Sequence, residues 1–213
     1  MTSFKRTALA ALLTSTLFAA APASALVWNE IGAGSSLATA EVTAAPGMPA
    51  LTGISGFLNS VNIVEVGPIY EIDLFKIHIW DAGEFYASVG PMDDDTALFL
   101  FDGQGNAVFA NDDFDNLLPT LPAGIAPAMG DYYLGIGLSG TSPVDSMGAD
   151  LFTWEPSGFY TFGQPSGAGP LAGWMVNTAG TELPIAYSIT LTGATVAAVP
   201  EPASALMLLL GIG

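Results

Sequence analysis

The residues of this chain best placed to do chemistry are acids. Asp93, Asp94 and Asp95 stand together. Asp112, Asp113 and Asp115 follow after the apolar run Ala97-Leu-Phe-Leu-Phe101, the polar stretch Asp102-Gly-Gln-Gly-Asn106 and a second apolar run, Ala107 to Ala110. Like charges about 5 Å apart repel by roughly 1 kcal/mol per pair even in a water-like dielectric. Six such carboxylates must spread into water, take up protons or share a cation. An all-oxygen set suits a hard cation, and Ca²⁺ takes six to eight oxygens. The competing reading is a solvated acidic rim, whose Asp side chains cap turns and guard a sheet edge. An EF-hand does not fit. Counting from Asn111, the position that needs Gly is Asn116 and the one that needs Glu is Pro122.

These acids need elements to bring them together. Asp102 to Asn106 reads as a turn between strands at 97–101 and 107–110, so the two runs form a hairpin. The open end of that hairpin sets Asp93–Asp95 beside Asn111–Asp115. Period-2 alternation marks further strands. Phe75, Ile77 and Ile79 alternate with Lys76 and His78, and Phe85, Ala87 and Val89 with Tyr86 and Ser88. Tyr132 to Leu138 and Ile185 to Thr192 alternate in the same way. Ala97 to Phe101 is apolar on both faces and reads as a central strand. Weaker strand patterns lie near 38–42, 51–57, 61–66 and 151–154. The Pro/Gly/Ser stretch from Ser157 to Gly173 reads as a long surface loop. Many short strands without a long helix predict an all-β chain, a single β-sandwich of jelly-roll type over residues 26–198.

Charge and composition exclude other chemistry. The chain has 213 residues, with 20 acids against three bases, one His and no Cys. Two of the bases are Lys5 and Arg6, which leaves Lys76 for the body. Nucleic acid is excluded as a partner, because phosphate binding needs clustered Lys and Arg. Without Cys there is no disulfide, no thiol nucleophile and no Cys-based metal site. His78 alternates with Ile77 and Ile79, so it is expected on a solvent face beside Lys76. No G-x-S-x-G elbow, P-loop or Rossmann fingerprint is present. A carboxylate hydrolase would need one acid raised in pKa by an apolar cleft, whereas these acids lie in polar clusters. Trp28, Trp80, Trp154, Trp174, Tyr86 and Tyr160 suit either core anchoring or a sugar-stacking platform.

The two ends read as addresses. Lys5-Arg6, the apolar run Thr7 to Ala20 and the small-residue site Ala23-Ser-Ala25 make a secretory signal over residues 1–25. Its apolar stretch of 14 residues is short of the roughly 20 that span a bilayer. Cleavage by signal peptidase is expected after Ala25. At the other end, Val199-Pro200-Glu201-Pro202 precedes a Leu-rich run ending at Gly213. That segment, 199–213, resembles the PEP-CTERM sorting signal. The family's signal continues through a full membrane span to an Arg-rich cluster, and neither appears before Gly213, so the signal reads as truncated. The resemblance implies an exosortase as partner, passing contact with the inner membrane, and release at the surface of a Gram-negative cell.

The acidic stretch carries a second resemblance. Asp95-Thr-Ala-Leu-Phe-Leu-Phe-Asp102-x-x-Gly105 followed by Asn111-Asp-Asp113 is similar to the bacterial pre-peptidase C-terminal (PPC) domain family. Glu71 to Ile77 and Gly130 to Ile136 extend the likeness to about 53–140, and Gly173 to Gly193 suits the family's last strand. The resemblance implies a noncatalytic β-sandwich on an exported protein. It also implies that calcium or an extracellular polymer is bound in some members, with Asp95, Asp102, Asp112 and Asp113 as the matching positions. The expected metal set, residues and resemblance together, is Asp93, Asp95, Asp102, Asp112, Asp113 and Asp115. The expected function is an exported, noncatalytic surface or matrix protein. The alternatives are a calcium-dependent module for extracellular polysaccharide and, behind it, a carboxylate hydrolase.

Overall fold

The computed structural model describes residues 24–63, 67–70, 72–92, 94–114, 117–157, 160–175 and 184–197. Ala23, Asp93, Asp115 and the motif Val199, Pro200, Glu201, Pro202 lie outside them. No helix occurs among the described residues. The strands are β1 (Ala25–Asn29), β2 (Glu41–Val42), β3 (Ala50–Leu58), β4 (Ser60–Ile63), β5 (Gly67–Tyr70), β6 (Asp73–Ile79), β7 (Tyr86–Val89), β8 (Thr96–Asp102) and β9 (Ala107–Phe114). They continue with β10 (Thr120–Leu121), β11 (Gly130–Leu138), β12 (Ser142–Val144), β13 (Phe152–Ser157), β14 (Tyr160–Pro165), β15 (Gly173–Met175), β16 (Ile185–Thr192) and β17 (Ala194–Val196).

Thirteen of these strands form one sheet, in the order β10-β7-β16-β3-β17-β6-β11-β8-β9-β14-β13, with β1 on β3 and β2 on β6. β1 and β2 pair parallel to their neighbours, and the other ladders of this sheet are antiparallel. β12–β15 and β4–β5 are separate pairs. One buried cluster joins Ile54 of β3, Ile77 of β6, Ala87 of β7, Leu100 of β8, Leu134 of β11 and Ile189 of β16. Strands far apart in the order share this core, so the sheet curls around it. Burial of each large side chain contributes roughly 1.5–3 kcal/mol.

The alternation predicted for β16 is observed: Ile185, Tyr187, Ile189 and Leu191 are buried, while the residues between them are exposed. β8 is apolar on both faces for the expected reason. Leu98 and Leu100 enter the first core. Ala97, Phe99 and Phe101 enter a second, with Leu74, Ala110, Phe152 and Leu171. Trp154 and Trp174 close the second core with edge-on rings 6.2 and 5.2 Å from Phe99. These two tryptophans are core anchors. Trp28 is anchored as well, donating its Nε1–H to Glu41 at 2.8 Å. Trp80 alone of the four is largely exposed, at 51%.

The stretch 157–173 is not one long surface loop, as its composition predicts. Tyr160–Pro165 is β14, paired with β9 on one side and β13 on the other. Gly163 permits this: a Cβ there would lie 2.9 Å from that of Ala110 and 3.1 Å from that of Phe152. Pro165 falls at the strand end, where its missing N–H costs no ladder bond. Leu171, beyond it, is buried in the second core. The weak pattern near 38–42 shrinks to the two residues of β2. Ala25, the expected processing position, is the first residue of β1, opposite Ala50. Removal of residues 1–25 would leave four of the five β1 residues in place.

Candidate functional site

The predicted hairpin forms, with a register shift between Leu100 and Phe101. β9 runs on to Phe114, past the expected end at Ala110. Its turn is closed by Asp102. Asp102 Oδ1 accepts from the amides of Gln104 and Asn106, both at 2.9 Å, and Oδ2 accepts from Asn106 Nδ2 at 2.9 Å. Gly105 supplies the positive φ of 85° that the turn needs. Asp102 thus anchors the turn end of the hairpin. It is separated from Asp95, Asp112 and Asp113 by the length of β8, about 20 Å at 3.3 Å per residue.

At the open end the other three described candidates meet. Ser139, just past β11, donates its amide to the Asp95 carbonyl at 3.1 Å and its hydroxyl to Asp112 Oδ2 at 3.0 Å. Thr161 of β14 donates its hydroxyl to Asp113 Oδ2 at 3.0 Å. Asp95 Oδ1 and Asp112 Oδ1 are buried and have no hydrogen-bond partner among the described residues. Burial pushes the Asp112 carboxyl up to about 6. The Ser139 bond opposes that rise, and the charges of Asp95 and Asp113 add to it. Burial also raises Asp95, helped by Asp113 and opposed by Ser139.

Asn111 fixes the geometry of this end. It is fully buried. Its Nδ2 donates to the carbonyls of Asp113 at 2.8 Å and Thr161 at 2.9 Å, and its Oδ1 accepts from the Thr120 amide at 2.6 Å. One side chain thereby holds the bulge between β9 and β14 and the start of β10. The composition of the rim, Asn111 included, is legible from the sequence, but Ser139, Thr161 and the bonds that Asn111 makes are not. Their roles depend on the β11–β8 and β9–β14 registers.

The oxygen chemistry of the rim suits a hard cation, and two of its oxygens are orphaned. Even so, no group of three or more His, Cys, Asp or Glu side chains that could hold a metal occurs among the described residues. Asp93 and Asp115 fall outside that set. Asp112 is raised by burial, whereas the sequence predicts these acids in hydrophilic clusters.

Other acids are occupied with holding loops. Glu41 accepts from the amides of Ile31 and Gly32. Asp81 accepts from those of Gly83 and Glu84. Asp145 takes the amides of Ala149, Gly169 and Met147, which hold its carboxyl below the usual range. Inside the molecule, the Tyr187 hydroxyl donates to Asp73 Oδ2 at 2.8 Å and lies 3.3 Å from Glu30 Oε2. Burial and these two neighbours raise the phenol far above its ordinary value. Asp73 is only 1% exposed and is closed to a substrate.

His78 and Lys76 share the half-exposed face predicted for them. Both bind a partner that the sequence did not reveal. Asp131 Oδ1 lies 2.9 Å from His78 Nδ1, and Asp131 Oδ2 lies 3.0 Å from Lys76 Nζ. Partial burial raises the Asp131 carboxyl, but the bonds and charges of His78 and Lys76 outweigh it and leave the group below its ordinary value.

Comparison of the chain with protein-family models, with curated proteins and with solved structures found no match.

Proposed function

We propose that the chain is an exported, noncatalytic cell-surface or extracellular-matrix protein, built on one jelly-roll-type β-sandwich over residues 26–198. One observation carries the noncatalytic part. Away from the acidic rim, the side chains that could do chemistry are engaged in holding the scaffold: Glu41, Asp81, Asp102 and Asp145 hold loop amides, and His78 is held by Asp131. Export rests on the sequence at the two ends. In this reading residues 1–25 are a signal removed by signal peptidase. Val199, Pro200, Glu201 and Pro202 are read by an exosortase at the inner membrane of a Gram-negative cell, which sends the protein to the surface or the medium. Mass spectrometry of the protein from its host tests this. The expected product starts at Leu26 and lacks the tail beyond Pro202. Intact chain in the cytosol would overturn the reading. A panel of glycan and peptide substrates tests the hydrolase alternative, and turnover lost in Asp112→Asn would establish it.

The orphaned oxygens of Asp95 and Asp112 favour a second reading, a calcium-dependent module for extracellular polysaccharide. Asp95, Asp112 and Asp113 would hold the ion from the described residues, with Asp93 and Asp115 beside them in sequence. A bound cation would supply the countercharge that this rim lacks. Calorimetric titration of the full chain with Ca²⁺ tests it. Heat is expected in the unaltered chain and not in Asp112→Ala or Asp113→Ala. No heat and no melting shift at millimolar calcium would remove the metal.

A further inference from the structure

We propose that the cleft beside Lys76 binds a neutral pyranose unit of a polysaccharide. The cleft holds about 440 Å³ and is lined by Lys76, by Asp102, Gly103 and Gln104 of the hairpin turn, and by the first residues of β11 with Met129 before them. Small-molecule sites run from roughly 300 to 1,000 Å³. The cleft lies at the turn end of the β8–β9 hairpin, the opposite end from Asp95 and Asp112. It therefore stands apart from the calcium reading.

Its polar groups select the ligand class. Lys76 Nζ has three donors, and Asp131 Oδ2 lies within 3.0 Å of it. Asp131 is held in turn from its other oxygen by His78 at 2.9 Å, so the ammonium is fixed beside the cleft with donors to spare. Asp102 accepts three N–H bonds from its own turn, one fewer than a carboxylate's four lone-pair sites. The amide of Gln104, exposed in the turn, offers both a donor and an acceptor. Hydroxyls that donate and accept suit this mixture. An anion would meet two carboxylates against one ammonium. A cation would meet that ammonium, which already neutralises Asp131.

The apolar groups point to a ring. Met129, at the cleft edge, is 70% exposed. Gly130 pairs with Ile79, so Met129 and Trp80 are the next residues along the two strands. Trp80, 51% exposed, follows β6 in a bend just beyond the residues that line the cleft. There its indole offers a flat apolar surface to the C–H face of a sugar unit that extends from the cleft past Met129.

The test is tryptophan fluorescence and calorimetry on the full chain with a calcium chelator present. This makes it independent of the acidic rim. The probes are maltotriose, cellotriose, mannotriose and triacetylchitotriose, with trigalacturonate as the acidic control. At least one neutral trisaccharide is expected to saturate, with trigalacturonate weaker by ~10-fold. Gln104→Ala, in an exposed turn, is expected to raise Kd by about fivefold. Trp80→Ala removes the fluorescence response and weakens binding. The proposal is overturned if no neutral probe saturates at about 10 mM or if trigalacturonate binds tighter. It is equally overturned if Gln104→Ala and Trp80→Ala, shown folded by circular dichroism, keep the original affinity.

Discussion

The Ser139 hydroxyl donates to Asp112 at 3.0 Å, from the end of β11 past Asp95 to β9. One short side chain thus bridges three neighbouring strands at the place where their charges repel. The bond favours the ionised form of Asp112, yet burial outweighs it.

The Asp112 carboxyl therefore gives stability a direction with pH. Its value is about 6 in the folded chain against 3.8 for an ordinary aspartate. Between those values the folded state binds more protons than the unfolded one, so stability falls as pH rises from about 4 to about 6. Asp112→Asn should flatten that slope and stabilise the chain at neutral pH by about 1–2 kcal/mol, after discounting for solvent screening. Melting curves with chelator at several pH values between these limits check this. Identical pH profiles for both proteins would refute it.

Asn111→Ala removes both donors and the acceptor that tie β9, β14 and β10 together. The part-buried carbonyls of Asp113 and Thr161 and the buried Thr120 amide lose a partner, so a loss of about 2–4 kcal/mol is expected. Urea unfolding measures it. A change below about 1 kcal/mol would mean that water replaces the side chain.

The Tyr187 hydroxyl and Glu30 crowd against Gly56, where an added Cβ would collide with both. Gly56→Ala should therefore destabilise the chain, by about 1–3 kcal/mol. Tyr187→Phe takes a donor from buried Asp73 and should cost about 1–3 kcal/mol. The two changes act on one cluster, so their combined effect should fall short of the sum. A double-mutant cycle by chemical denaturation decides whether it does.

Asp131→Asn is the contrasting case. Its side chain is 37% exposed, and its partners Lys76 and His78 are 32% and 30% exposed. An exposed pair of this kind contributes about 0–1 kcal/mol. The expected loss is under ~1 kcal/mol, and a large one would show that the pair is more buried in solution.

The strands were legible wherever one face meets the core and the other meets water. Ile185–Thr192 shows this cleanly, because each one-residue step changes the surroundings. β14 was hidden because Gly163 and Pro165 carry loop composition, and their close fit against Ala110 and Phe152 arises only in the sheet. The acidic rim was legible as far as local sequence brings charges together at the hairpin's open end. Asp102 was grouped with it by resemblance, and the length of β8 sets it apart. Asp131 stayed hidden because nothing local links it to His78. Their partnership comes from antiparallel register across residues 53 positions apart.

The place of β16 has a consequence in time. It lies between β7 and β3, and β17 follows it between β3 and β6. The earlier strands can pair as they are made, but β10–β7, β1–β3 and the run from β6 to β13 have no shared neighbour until Thr192 and Val196 arrive. Such distant pairings make folding slow. The core closes at its middle last, so a chain interrupted before residue 185 would leave three separated pieces, β10–β7, β1–β3 and the run from β6 to β13, with their apolar faces open to water.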